Sequence, residues 1–150
     1  MKKFLTSTAI ALICFSHFVI AQYNTGDDEL NKSLLTIDAD AKLDFGAFKV
    51  DLSVSYDITE KKIEYLSVDI EMSAGDIYLS LELAKVTEKS IDQVVEVYQT
   101  NKTKGWGVIA KELGIKPGSP EFHALKGKAK NKGSKGKGKE KEKGKGKGKN

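Results

Sequence analysis

Apolar and polar residues alternate strictly along the segment from Thr36 to Ile58. The apolar positions keep one parity up to Phe45 and take the opposite parity after Gly46-Ala47. They are Ile37, Ala39, Ala41, Leu43 and Phe45, followed by Phe48, Val50, Leu52, Val54, Tyr56 and Ile58. A period of two with a glycine at the break is typical of a β-hairpin that buries one face. The pattern predicts a hairpin over residues 36–58, with an amphipathic helix as the alternative for the first half only.

Two later segments have the form of a capping box, in which a serine opens a helix and a residue three positions later bonds back to it: Ser73 with Asp76, and Ser90 with Gln93. They predict helices over residues 73–86 and 90–100. The intervening residues 59–72 fit two structures. A short helix capped by Thr59 would bury Ile63 and Leu66, whereas a third strand would bury alternate residues beyond Leu66. We favour the helix.

The C-terminal part of the domain has one further helical face, formed by four residues at i, i+3, i+4 and i+7: Trp106, Ile109, Ala110 and Leu113. Gly114 follows at the position expected for a left-handed C-terminal cap. Ser119 and Pro120 then fit an N-cap followed by proline at the first helical position, which predicts a last short helix to Leu125. Together with the hairpin, these elements predict an α+β domain, an N-terminal β-hairpin packed on three or four short helices.

The last twenty-five residues, 126–150, contain twelve lysines, seven glycines and only two glutamates. The whole chain has 25 basic and 21 acidic residues, so removing this tail and the two lysines near the N-terminus leaves 11 basic and 19 acidic residues. The body from 22 to 125 therefore carries about −8 and the tail about +10. Because lysine and glycine offer almost nothing to bury, composition predicts a disordered basic C-terminal tail.

The N-terminus has the layout of a secretory signal peptide. Lys2 and Lys3 precede a mostly apolar stretch that ends near Ala21, after which we expect cleavage. Polar residues interrupt the stretch, so an uncleaved membrane anchor is the weaker alternative. The prediction is an exported protein, periplasmic, surface-associated or extracellular, with no transmembrane span after cleavage. Its parts are a signal peptide at 1–21, a flexible lead-in at 22–28, a single small acidic domain at 29–125 and the tail.

Several kinds of site are excluded or weak. The only cysteine, Cys14, lies in the leader, so the mature chain has no disulfide, thiolate metal site or thiol nucleophile. His123 is the only mature histidine, and we expect no metal and no cofactor. The segment from Asp38 resembles a calcium loop, but Lys42 and Leu43 occupy its fifth and sixth positions, so the match fails. We identify no catalytic residue.

Trp106 lies between two glycines and is a candidate ligand platform, because small neighbours leave an aromatic ring approachable. The alternative is a core residue at the start of a helix. The segment from Gly105-Trp106-Gly107 to Leu125 resembles the C-terminal signature of a family of small exported bacterial proteins of uncharacterised function, some with Lys/Gly-rich tails. The stretch from Ser73 to Tyr98 resembles the same family. This resemblance implies a bacterial exported protein and implies no activity.

The tail lysines are the candidate polyanion-binding residues: Lys126, Lys128, Lys130, Lys132, Lys135, Lys137, Lys139, Lys141, Lys143, Lys145, Lys147 and Lys149. The chain has no arginine and the tail no aromatic residue, so we expect no sequence-specific reading of nucleic acid. The leading hypothesis is an exported, non-enzymatic binding or surface-associated protein whose tail contacts anionic polymers of the envelope or matrix. The alternatives are a protein-binding envelope scaffold with a solubilising tail, a tail bound to the acidic body, and a small carboxylate-based hydrolase.

Overall fold

The structure, a computed structural model, describes residues 23–139 and the side chains as far as residue 135. Over this range the chain forms α-helices joined by short loops, one 3₁₀ turn at Lys102–Lys104, and no strand. The helices are α1 (Asp28–Leu43), α2 (Phe45–Tyr56), α3 (Glu60–Val68), α4 (Ala74–Thr87), α5 (Ile91–Asn101), α6 (Trp106–Glu112) and α7 (Pro120–Lys139). None of the helices described is long and apolar enough to cross a membrane. The expected signal peptide lies outside the described residues.

The predicted β-hairpin is wrong, because residues 36–58 form most of α1 and all of α2. Helix α1 buries residues three or four positions apart, and α2 buries Phe48 and Leu52. Residues i and i+4 belong to a period-two pattern as well as to one helix face, so the alternation is compatible with both structures. The other alternate positions, Leu43, Val50 and Val54, are left 78%, 50% and 81% exposed. The domain is therefore all-helical in the part described, and not α+β.

Asp44 separates the two helices that replace the hairpin. Its backbone N–H donates to the carbonyl oxygen of Asp40 at 3.4 Å, which ends α1. Its side chain accepts a hydrogen bond from the N–H of Ala47 at 2.8 Å, which begins α2. One aspartate thus satisfies backbone groups at both helix ends. Gly46, where the sequence pattern predicts the hairpin turn, lies inside α2.

Helix α4 is the centre of the molecule. Nine consecutive residues, from Gly75 to Leu83, are buried. A helix that is buried on all sides must be surrounded by others, and α4 packs against α1, α2, α3, α5 and α7. Its start is the predicted capping box, with Ser73 and Asp76 exchanging side-chain and backbone hydrogen bonds.

The remaining local predictions for helix starts are confirmed. Thr59 caps α3, and Ser90 and Gln93 form the capping box of α5. Helix α7 begins at Pro120, with the Ser119 hydroxyl accepting a hydrogen bond 3.2 Å from the N–H of Phe122. Each of these caps is made within three residues of sequence, which is why a short pattern reveals it.

Helix α7 continues to Lys139, whereas composition predicts that order ends at Leu125 and that the tail is disordered. Leu125, Ala129 and Gly133 form its buried stripe, at a spacing of four residues. The stripe faces α1, and a Cβ atom added at Gly133 would lie 3.3 Å from the side chain of Thr36. Small residues therefore let the basic segment of α7 lie close against the acidic helix α1. Residues 140–150 lie outside the described range.

Candidate functional site: the lysines of helix α7 and the cleft beside them

The lysines of α7 form two rows, one on each side of the buried stripe. A spacing of two residues turns a helix by about 200°, so lysines at alternate positions fall on different sides. Lys126 and Lys130 lie on one side, over the N-terminus of α1, and Lys128 and Lys132 lie on the other, over α2 and α4. Because these lysines occur at every second position, they lie on both sides of the surface through which α7 contacts the body.

The first row pairs with the start of α1. The Lys126 ammonium lies 3.1 Å from a carboxylate oxygen of Asp27 and 2.9 Å from one of Glu29. Lys130 lies 2.8 Å from the second oxygen of Glu29. Hydrogen bonds from Lys126 and Lys130 lower the pKa of Glu29 to about 2, and the bond to Glu29 raises the pKa of Lys126. Asp27 also caps α1 by accepting from the N–H of Leu30 at 2.8 Å.

The second row pairs with two carboxylates of the body, one of which is buried. The Lys128 ammonium donates to Glu82 at 2.7 Å, where the glutamate side chain is only 6% exposed. The Tyr56 hydroxyl donates to the other oxygen of Glu82 at 2.6 Å, so both oxygens of this carboxylate have a donor. Lys132 pairs with Asp51 on α2. Burial and the hydrogen bond to Glu82 together raise the pKa of Tyr56, which keeps its hydroxyl protonated as a donor.

A cleft of about 230 Å³ lies between α2, α4 and this second row of lysines. Its lining combines a carboxylate, a leucine side chain, ammonium groups, hydroxyls, an amide and two tyrosine rings: Asp51, Leu52, Ser55, Tyr56, Tyr78, Lys128, Asn131, Lys132 and Lys135. The rings of Tyr56 and Tyr78 meet edge to face, with centroids 6.3 Å apart. Lys135 is exposed and, among residues 23–139, no carboxylate lies within 4.0 Å of its ammonium group.

The lysines that follow Lys135 are described by the structure only in part. Lys137 and Lys139 belong to α7, but their side chains lie beyond those described. Lys141, Lys143, Lys145, Lys147 and Lys149 lie outside the described residues altogether. Of the lysines predicted to bind polyanions, the structure therefore brings Lys126, Lys128, Lys130 and Lys132 onto carboxylates of the protein itself, the arrangement that the tail-to-body alternative expects.

Trp106 is a core residue in this structure, 3% exposed. Its indole N–H donates to Asp76 at 2.6 Å, and its ring lies against that of Tyr98 with centroids 5.2 Å apart. A stacking platform needs an exposed ring face, which this position does not offer. The cavity beside the ring measures only about 20 Å³, room for little more than one water.

The glycines beside Trp106 have a packing role. The backbone carbonyl of Tyr23 accepts from the N–H of Trp106 at 3.0 Å, and that of Asn24 accepts from Gly107 at 3.0 Å. A Cβ atom at Gly105, whose φ is +85°, would lie 2.7 Å from Asn24. The segment at 23–25, expected to be a flexible lead-in, is therefore held against the start of α6, and Tyr23 itself is buried.

Asp76 connects Trp106 to a buried polar network that sequence reasoning did not find. Besides the indole, Asp76 accepts from the hydroxyls of Ser73 at 2.9 Å and Tyr98 at 3.3 Å. Burial raises the pKa of Asp76, although the hydrogen bonds from Trp106 and Ser73 oppose the rise. The Tyr23 hydroxyl lies 2.8 Å from Ser73 and donates to Asp38. The capping box located Asp76, but its indole and phenol partners are distant in sequence.

Asp38, at which the segment resembling a calcium loop begins, completes this network. It accepts from the backbone N–H of Gly75 at 2.8 Å, at the start of α4. His123 is exposed, with its ring centroid 6.3 Å from that of Phe122. Within residues 23–139 there is no group of three or more histidine, cysteine, aspartate or glutamate side chains that could hold a metal ion.

Comparison with known proteins identifies no matching family model, no similar curated protein and no similar solved structure. The resemblance to small exported bacterial proteins therefore stays a prediction from residues 105–125 and 73–98.

Proposed function

We propose that this protein is an exported, non-enzymatic binding protein that attaches to anionic polymers through the lysines at and beyond the end of helix α7. The observation that carries the proposal is how the lysines are used along the tail. Four of them, at 126, 128, 130 and 132, are paired with carboxylates of the body. From Lys135 to the C-terminus the sequence has eight more lysines and two glutamates, an excess of about six positive charges.

This division gives the two parts of the tail different tasks. The paired lysines hold α7 on the acidic domain, and the later lysines supply the charge excess for an external partner. With lysine at nearly every second position, this segment carries dense positive charge, so a long anionic polymer can contact several of its lysines at once. Lysine binds phosphate or carboxylate as a point charge, which favours attachment without sequence readout.

The test compares two variants of the mature protein that have the same net charge. The tail variant changes seven lysines to glutamine: Lys137, Lys139, Lys141, Lys143, Lys145, Lys147 and Lys149. The body variant changes seven exposed lysines outside α7 to glutamine: Lys32, Lys42, Lys61, Lys89, Lys102, Lys111 and Lys116. Both are applied to a resin carrying an anionic polysaccharide and eluted with a salt gradient.

We expect the tail variant to lose retention and the body variant to elute close to the unmodified protein. On duplex DNA, the log of affinity should fall with log salt by about 0.9 per phosphate neutralised, and this slope should drop only in the tail variant. Equal loss of retention by the two variants would show that net charge, and not the tail, governs binding, and the proposal would fail. Fractionation of cells that produce the protein tests export separately.

A further inference from the structure

We propose that the cleft between α2, α4 and α7 is a binding site for one small oxyanion group, a phosphate or carboxylate carried by a unit of the anionic polymer. The inference rests on the proposed function for the polymer and goes beyond it by placing a defined site on the folded domain. It concerns Ser55, Tyr78, Asn131 and Lys135, which line the cleft together with the paired lysines Lys128 and Lys132.

The charge of the cleft favours an anion. Three lysines line it, at 128, 132 and 135, against the carboxylates of Asp51 and of Glu82 behind the wall, which leaves a net charge of about +1. The rest of the body carries an acidic excess. An anion that approaches the domain therefore meets a local attraction at the cleft.

The two carboxylates act as supports for the lysines more than as ligands. Glu82 already accepts from Lys128 and from the Tyr56 hydroxyl, and Asp51 accepts from Lys132. A cation that approached these carboxylates would meet the ammonium groups of Lys128 and Lys132, which already pair with them. Each ammonium group has three donors, so the ion pair to Glu82 leaves Lys128 with further hydrogen atoms to donate.

The neutral hydrogen-bond donors and the size of the cleft further limit the kinds of ligand that could bind. Ser55 and Asn131 are exposed at the cleft and can donate to an oxyanion, and the hydroxyl of the buried Tyr78 lies in the cleft wall beside Tyr56 and Glu82. Burial raises the pKa of Tyr78, so its hydroxyl stays protonated. A volume of about 230 Å³ is below the roughly 300 to 1,000 Å³ of sites for drug-sized molecules, so the cleft suits a single small unit. The half-buried ring of Tyr56 offers that unit an apolar surface.

The experiment is a two-dimensional NMR titration of the full mature protein at constant ionic strength, with inorganic phosphate in one arm and glucuronate in the other. We expect saturable shifts of the amides of Ser55, Asn131 and Lys135 in at least one arm, and the arm with tighter binding identifies the oxyanion. Shifts that grow linearly with concentration in both arms, or that avoid the cleft, would refute the proposal.

Single substitutions distinguish binding at the cleft from non-specific attraction to the positive charge of the protein. Lys135→Gln should weaken binding at least threefold, whereas Lys111→Gln, the same change at an exposed residue of α6, should leave it unchanged. Tyr78→Phe keeps the ring and removes only the hydroxyl, and we expect about a twofold loss. Equal effects of the Lys135 and Lys111 changes would refute the cleft site.

The tail variant with seven glutamines keeps every residue of the cleft. If it loses retention on the resin but still shows the saturable shifts, both proposals stand as separate sites. If it keeps retention and shows the shifts, the proposed function fails and the cleft site survives.

Discussion

Helix α4 and the basic part of α7, residues 126–139, have the same backbone structure but are held in place by different forces. Helix α4 has nine consecutive buried residues and contacts five other helices. The basic part of α7 buries only Ala129 and Gly133 among its described side chains, and ion pairs to four carboxylates of the body flank that stripe. Burial stabilises the first helix and charge the second, so they should respond differently to mutation, salt and pH.

The basic part of α7 is close to the limit of helix stability. It contains four glycines, each of which costs a helix about 1 kcal/mol relative to alanine. The exposed ion pairs each contribute little because water screens them, and the pair with the buried Glu82 is the best placed to contribute more. Small opposing terms of this kind predict a segment that detaches without unfolding the domain.

The largest expected effect comes from removing buried volume in α4. Leu83→Ala deletes a fully buried side chain and should lower the free energy of unfolding by about 3 kcal/mol, since transfer and cavity costs add. Val54→Ala, at a position 81% exposed, is the control and should change it by less than about 0.5 kcal/mol. Urea denaturation followed by circular dichroism measures both. A cost for Leu83→Ala no greater than the control would contradict a core centred on α4.

Replacing a glycine with alanine should change stability in opposite directions in the two helices. A Cβ at Gly75 would lie 2.1 Å from the Tyr23 hydroxyl and 3.0 Å from a backbone oxygen, so Gly75→Ala should destabilise by about 1 to 3 kcal/mol. A Cβ at Gly127 meets nothing within 4 Å, so Gly127→Ala should favour the helix by up to about 1 kcal/mol. Urea denaturation reports the first change, and hydrogen exchange of the amides at 128–134 the second. Faster exchange in the Gly127 variant would show that the segment is not limited by helix propensity.

The next largest difference between the two helices should be their response to salt. Raising sodium chloride from about 0.05 to 0.5 M shortens the screening length severalfold and weakens the ion pairs of α7. Hydrogen exchange should accelerate at the amides of residues 128–134 and stay unchanged or slow down within α4. Because chloride does not screen buried apolar contacts, equal acceleration in both helices would contradict the division.

Acidification should change the stabilising contributions of Glu29, beside α7, and of Asp76, in α4, in opposite directions. Hydrogen bonds from Lys126 and Lys130 lower the pKa of Glu29 to about 2, so its stabilising contribution is present above its ordinary value and is lost as pH falls from about 4.5 through 2. Burial raises the pKa of Asp76, so its charged form costs stability at neutral pH and protonation on acidification relieves that cost. Acidification should therefore detach α7 before it loosens the start of α4. NMR of the amides of Gly75 and Lys130 from about pH 7 down to about pH 2 follows both events, and loss of Gly75 order first would reverse this assignment.

Much of the second half of the fold could be predicted because its signals are local. The caps at Thr59, Ser73, Ser90 and Ser119 each join groups within three residues, so a short pattern contains both partners. The first half could not be assigned in the same way. Its alternating pattern includes i and i+4 pairs, and only the packing of α2 against α1, α3 and α4 decided that Phe48 and Leu52 would be buried while Val50 and Val54 were not.

The candidate site divides in the same way. The sequence determined by itself that an acidic body is followed by a lysine-rich segment, because charge is a property of composition and needs no partner. Which lysines are used internally was decided by the tertiary structure alone. Lys126, Lys128, Lys130 and Lys132 reach carboxylates that lie 99, 46, 101 and 81 residues away along the chain. Folding brings these groups together when α7 packs against α1 and α4, and that contact also shapes the cleft that ends at Lys135.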